Sequence, residues 1–428
     1  MIKDFKYLSR IFSDYYRTAK VNISSIDMLT QREFAFFLWE KKSIMMRHMG
    51  FNNRDNFINF LITSGPRHVY SSGALYQYPE NQEMASKGYL GCDFIIDIDV
   101  DHFYTPCKEE HDLWHCKECG KSGKGMVSKC PSCNKTKIQT ITWICEECLN
   151  IAKNEIIKLI YNFLIPDFGI FLDQMKITFS GHRGYHLKIK DEKIRTLSSE
   201  ERREIADYVS GENISFEILG LREKSGTIFG FSEENIGWSQ KCIRKIKDIL
   251  NKSNAEIHNI LINKKNFNLK ADQITSFLNF KDRFLHTIQN RTTNVWPSEN
   301  FGIKSWNNFL TGIVHEIGVE IDTPVTVDIH RLIRYPGSLH GKTGFKVQEL
   351  NPDELDHFNP LNETNEILDP IVFESKVKTT QKIEITIPEV PATKIKEDIY
   401  GPYVMGQKVE VPHHIAVFLL CKEVAKTI

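Results

Sequence analysis

Asp97 and Asp99 stand two residues apart at the end of an apolar run, Phe94-Ile95-Ile96-Asp97-Ile98-Asp99-Val100-Asp101. In an extended strand, residues two apart share a face, roughly 6.5–7 Å from each other. Two carboxylates that close repel unless a cation lies between them, and hard oxygen donors suit Mg²⁺ or Mn²⁺. Two such ions, about 3.5–4 Å apart, stabilise both the attacking and the leaving oxygen of a phosphoryl transfer. A third acid is needed, and Asp328, at the end of Val325-Thr326-Val327-Asp328, is the candidate. An isolated Asp-x-Asp is as often a solvated strand edge. The apolar residues before this one set it at the rim of a core.

A second segment, Ser180-Gly181-His182-Arg183-Gly184-Tyr185-His186, separates two strand-like runs. Its glycines allow a ligand to approach the backbone closely. Arg183 offers forked, charge-assisted bonds to a triphosphate, His186 a further contact, and Ser180 a hydroxyl donor. A third segment, Asp328 to Lys342, gathers Arg331, Arg334, His340 and Lys342 in glycine-rich, loop-like sequence. Cations following a metal-binding carboxylate fit a nucleoside triphosphate, whose charge must be neutralised from both sides.

The chain has 10 cysteines, and 7 of them fall between Cys107 and Cys148. Three CxxC pairs plus Cys107 and a histidine supply eight ligands, enough for two tetrahedral Zn²⁺ sites. Cys116, Cys119, Cys130 and Cys133 read as a zinc ribbon. Cys107, His111 (or His115), Cys145 and Cys148 would close the base of the insert. Full Cys/His ligation leaves no open position, so the expected role is structural.

These residues need elements to hold them. Residues 91–101 read as a buried strand, 151–165 as a helix stopped by Pro166, and 175–190 as strand, turn and strand. Residues 239–296 contain neither Gly nor Pro, which favours helix. Strand-like text returns at 323–333 and at 344–350. The acidic stretch near 350–395 reads as a partly extended tail on the surface. The fold class expected is α/β (mixed α+β), with 1–101 the first part of a catalytic core and 102–150 a zinc-binding insert. Residues 151–208 are core with the nucleotide-binding turn, 209–310 a mostly helical insert, 311–350 core with the third carboxylate and a phosphate-binding loop, and 351–428 a C-terminal segment packing on the core. Lys+Arg and Asp+Glu are both 55, so any nucleic-acid surface must be local. The N-terminus lacks a signal-like apolar stretch, and no apolar run is long enough to span a bilayer.

Three segments, FIIDIDVD (94–101), SGHRGYH (180–186) and VDIHRLIRYPGSLHGKTG (327–344), occur in that order around a cysteine cluster. Together they resemble the catalytic small subunit of archaeal and eukaryotic-type replicative primases, the archaeo-eukaryotic primase superfamily. The resemblance implies a prim fold, a mixed β-sheet with flanking helices and a zinc element beside the active site. It implies metal-ligand roles for Asp97, Asp99 and Asp328, with two Mg²⁺ or Mn²⁺ ions. It implies nucleotide-binding roles for Ser180, Arg183, His186, Arg334, His340 and Lys342. It further implies short RNA or DNA primers made on single-stranded DNA, a heterodimer with an iron–sulfur large subunit, and a cytoplasmic location in an archaeon or a nuclear one in a eukaryote. A repair or plasmid polymerase of the same superfamily is the alternative. A two-metal nuclease would also use clustered acids, but it has no use for the cations suited to a triphosphate.

Overall fold

Phe94, Ile96 and Ile98 bury one face of an extended segment, while Ile95, Asp97 and Asp99 share the other. In the computed structural model this segment belongs to the first of two units; described are residues 2–20, 23–42, 44–263, 265–290, 293–374 and 379–428. The first unit comprises Met1–Ile157, Leu172–Arg203 and Ile321–Ile428, and the second Lys158–Phe171 and Glu204–Glu320.

Two four-stranded sheets build the first unit, from β1 (Phe34–Phe37), β2 (Met45–Met49), β3 (His68–Ser72), β4 (Phe94–Asp99), β5 (Met175–Phe179), β6 (Gly184–Ile189), β7 (Leu332–Arg334) and β8 (Gln348–Leu350). Their orders are β7-β3-β1-β2 and β8-β5-β6-β4, and all these pairings are antiparallel. The result is the mixed α/β class expected. β4 lies at a sheet edge, with Asp97 opposite His186 and Asp99 opposite Gly184. Only glycine fits at 184, because a Cβ there would lie 2.5 Å from the Ile98 carbonyl oxygen. Helix Arg54–Ser64, N-capped by Asn53 and closed by Gly65, sets Phe57 against Phe34 at 4.8 Å between ring centroids.

Asp93, just before β4, is wholly buried. It accepts Arg32 Nη2 at 2.7 Å, Lys188 Nζ at 2.6 Å and Arg195 Nε at 2.8 Å. This ionic hub joins the segment before β1, β6 and the residues after β6.

The stretch 323–333 is not a strand throughout. Pro324 fixes the backbone at the start of a short helix, Thr323–Val327, and only Leu332–Arg334 is extended. The 350–395 stretch is not a surface tail either. Leu355, Phe358, Leu361, Ile371, Ile383, Ile385 and Val390 are all core residues. Strands Thr380–Ile385, Lys408–Pro412 and Ala425–Thr427 form a sheet beside helix His413–Cys421, which is buried from His414 to its end.

In the second unit the Gly- and Pro-free sequence forms helices Trp238–Leu250, Asn254–Asn263 and Ala271–Asn290, followed by Ile303–Ile317. Ser253 starts the second of these with reciprocal bonds to Glu256. Phe277, Phe280, Phe284, Trp296 and Trp306 form its aromatic core. The two ends of the long insertion meet, Val319 N–H donating to the Val209 carbonyl at 3.0 Å. No helix among the described residues is long and apolar enough to cross a membrane.

Candidate active site and metal-binding clusters

β4 ends at Asp99, whose Oδ1 accepts the Asp101 N–H at 2.9 Å and starts a turn of 3-10 helix, Val100–His102. This brings Asp101 and His102 to the mouth of the same cleft that Asp97 and Asp99 line. The fourth acid in the cleft is Asp322 and not Asp328. The Asp322 N–H donates to the Asp97 carbonyl at 2.8 Å, and its Oδ2 lies 3.3 Å from His102 Nε2. Asp328 sits exposed at the far end of the short helix, where its Oδ1 accepts the His330 N–H at 2.9 Å, and it does not line the cleft. The reason is the helix itself: read as a strand, 323–333 projects Asp328 from its end. Folded as a helix that begins at Thr323 and Pro324, the segment carries Asp328 to its far end, and the residue just before the helix, Asp322, lines the cleft instead.

Burial, then the charges of Asp99 and Asp322, push the Asp97 carboxyl well above the usual range. Burial and then Asp101 raise Asp99. Asp97 Oδ1 and His186 Nδ1 are both buried without a hydrogen-bond partner among the described residues. His186 Nε2 lies 3.4 Å from Asp97 Oδ1, but burial and then Arg334 and Arg331 hold the imidazole down to about 3, so it is neutral. Mutually repelling hard oxygens with an unsatisfied lone pair suit a divalent cation.

The same cleft, of about 210 Å³, is also lined by Arg331, Arg334 and Lys342 and by Ser180, His186 and His340. Pairing of β7 with β3 sets Arg334 opposite Tyr70, and its guanidinium lies over that ring at 5.1 Å. Arg334 Nη1 also donates to His68 Nδ1 at 2.9 Å. The His340 ring stacks on His182 at 5.2 Å and 6°, and Lys422 Nζ donates to His182 Nε2 at 2.8 Å. Gly181, at φ +80°, clears His340, whose Cβ would lie 2.7 Å from a Cβ at 181. Tyr70, Asp101, His102, His182 and Asp322 were not among the expected site residues. Of these, Asp101 and His182 lie inside the segments 94–101 and 180–186 and His102 directly follows the first, so sequence carries a signal for those three.

Arg183, expected against a triphosphate, is engaged by acids of the chain itself. Its Nη1 donates to both carboxylate oxygens of Asp112, at 2.8 and 2.9 Å, and to the Trp143 carbonyl at 3.1 Å; its Nη2 donates to Asp101. It is fully buried and does not line the cleft. Two carboxylates within reach satisfy a guanidinium that a triphosphate would otherwise attract.

The cysteines form two tetrads able to hold a metal ion, Cys107/His111/Cys145/Cys148 and Cys116/Cys119/Cys130/Cys133, with ligand atoms within 4.8 Å of one another. His111 joins the first, its Nε2 3.4 Å from Cys148 Sγ, whereas His115 faces away to Ser122 Oγ at 2.8 Å. Strands Leu113–Cys116, Ser122–Lys124 and Ile138–Ile141 frame the second.

A family model described as DNA primase small subunit matches residues 134–352. Curated DNA primase small subunits are similar over most of the chain. That of Thermoplasma volcanium is 32% identical over 85% of this chain and 84% of its own. That of Archaeoglobus fulgidus is 31% identical over 97% and 96%, and that of Methanosarcina mazei 29% over 98% and 96%. With acids and cations lining one cleft and these relatives along nearly its whole length, the chain belongs to the DNA primase small subunit family, a family of nucleotidyltransferases.

Proposed function

We propose that this chain is the catalytic subunit that joins nucleoside triphosphates into short RNA or DNA primers on single-stranded DNA. The observation that carries this is that Asp97, Asp99 and Asp322 line one cleft together with Arg331, Arg334 and Lys342. The three acids would hold Mg²⁺ or Mn²⁺. Two such ions supply activation of a 3′-hydroxyl and neutralisation of the leaving pyrophosphate. Arg331, Arg334 and Lys342 bind the triphosphate from the far side and keep its phosphates in line with the acids. Neutral His186 and His340 hydrogen-bond to phosphate oxygens without adding charge, and the Ser180 hydroxyl donates a further bond. Both tetrads are read as structural Zn²⁺ sites. The description of the relatives as small subunits supports a large-subunit partner, and the family resemblance an iron–sulfur one, with the archaeal cytoplasm as the place of work.

Primer synthesis on an unprimed single-stranded template, with labelled nucleotides and Mg²⁺ or Mn²⁺, tests this reading. Products from the wild type that vanish in Asp97→Ala/Asp99→Ala are expected. Absence of products even with the large subunit added, or cleavage of labelled DNA without nucleotides, overturns it. Metal analysis of the same protein is expected to return two zinc ions per chain, matching the two tetrads. A content near one removes one of the two assignments.

A further inference from the structure

An unbroken chain of polar contacts runs from the first metal tetrad to the catalytic cleft. His111 turns Nε2 to the tetrad and Nδ1 to Asp112 Oδ1, at 2.9 Å. Asp112 is wholly buried and also accepts the Trp143 N–H at 2.8 Å. Its remaining capacity goes to Arg183, which spans the gap to Asp101. Asp101 lines the cleft, and its N–H is held by Asp99 Oδ1 at 2.9 Å. A carboxylate behind a metal-bound histidine fixes the imidazole's orientation and strengthens it as a ligand. Here that carboxylate also fixes a buried cation against an acid of the cleft.

We propose that Asp112 and Arg183 are positioning residues: they hold Asp101 neutralised and in place, so that Asp99 is free to share a cation with Asp97 and Asp322. The inference rests on the cation reading of the cleft proposed above. Its physical basis is charge. Asp99 and Asp101 are separated by one residue within a tight turn, so two like charges are held close together there. The Arg183 guanidinium lies against Asp101 and cannot swing away, because Asp112 and the Trp143 carbonyl grip its other nitrogen. The 3-10 turn keeps its shape, and the cleft presents three acids rather than four competing ones. The tetrad then does more than staple the insert, since its occupancy orders His111, and through His111 the relay.

The test is Mn²⁺ binding to the zinc-loaded full chain, read without nucleotide from the EPR signal of the free ion. Zinc content, thermal unfolding and primer synthesis are followed on the same samples. Arg183→Gln is expected to weaken Mn²⁺ binding about 10- to 100-fold, with the nucleotide KM at saturating Mn²⁺ unchanged. Adding Asp101→Asn to that variant is expected to restore Mn²⁺ affinity to within a few-fold of wild type, because the charge left unneutralised is gone. If Arg183 instead contacts the triphosphate, KM rises and Mn²⁺ affinity stays put; that result overturns the proposal, as does a double variant no better than the single. Should Arg183→Gln lose zinc or unfold, Asp112→Asn carries the same comparison, since it keeps the side chain's shape and can still accept the Trp143 N–H. Asp97→Ala separates the two readings. If it leaves Mn²⁺ binding intact, the cation assignment itself is wrong and the relay falls with it.

Discussion

Asp322→Asn is expected to cut primer synthesis by about a thousandfold or more, equivalent to ~4 kcal/mol of barrier, whereas Asp328→Asn leaves the rate within a few-fold of wild type. The two acids are six residues apart and sit at opposite ends of one short helix. Asp322 is tied by its own N–H to the Asp97 carbonyl, and its charge is among those that raise the Asp97 carboxyl. A group that feels Asp97 through a buried cleft can share a cation with it, and losing one of three anionic ligands weakens both metal binding and transition-state neutralisation. Asp328 spends its Oδ1 on the His330 N–H at the rim. Asp322→Asn costs no helix cap, because its side chain makes no capping bond. The melting temperature without divalent ions is therefore expected to hold, or to rise as repulsion is relieved. Single-turnover synthesis at saturating Mn²⁺ decides it: a near-normal rate for Asp322→Asn, or a collapse for Asp328→Asn, restores the sequence-based choice.

Asp93→Ala is expected to destabilise the fold by about 3–5 kcal/mol, the usual cost of leaving buried charge unpaired. Three cations converge on this one carboxylate, and neither Arg32 nor Asp93 has any exposed side-chain surface. Burial raises the Asp93 carboxyl, but Lys188 and Arg32 outweigh it and hold the group well below the usual carboxylate range. An acid whose folded pKa is depressed stabilises the fold fully above its unfolded value, about 4. That contribution drains away as pH falls below about 4 towards the folded value. Chemical unfolding at pH 7 and over an acid series measures both effects. The wild type should lose stability on acidification with Asp93 contributing, and Asp93→Asn should be weaker at pH 7 with a flatter acid limb. A stability change under about 1 kcal/mol at pH 7 would show that the cations find other partners. The hub also bears on the site, because Lys188 stands two residues beyond His186 on the same face of β6.

The parts of the site that were legible from sequence are those set by neighbours in the chain. β4 is announced by apolar residues leading into alternate acids, and the tetrads by pairs of cysteines one turn apart. The choice of His111 over His115 needed the short helix Lys108–His111, which turns the first histidine back towards Cys148. Asp112, the partner that holds Arg183 away from the cleft, is 71 residues away in sequence. Sequence displays a cation's charge but not the distant acid that consumes it. Asp322 is hidden for a local reason: β-branched Thr323, Val325, Thr326 and Val327 read as strand, and Pro324 with the surrounding fold makes them helix instead. The C-terminal segment shows the same limit, since its short, Pro-interrupted apolar runs do not reveal that helix His413–Cys421 is buried almost throughout.

The meeting of Val209 and Val319 in the second unit has a consequence for how the chain finds its fold. β7 and β8 follow that insertion in sequence, yet must find β3 and β5, with Arg334 registered on Tyr70 across 264 positions. Left as a free loop, more than a hundred residues would have to be closed before those pairings formed. Once the Val319–Val209 bond joins the insert's two ends, the search is reduced to that of a connection of roughly ten residues. The saving in closure entropy is about 2 kcal/mol, gained early and locally. With those ends joined, β7, its arginines and Asp322 follow the insert as they would follow a turn, which lowers the effective contact order of a topology otherwise expected to assemble slowly.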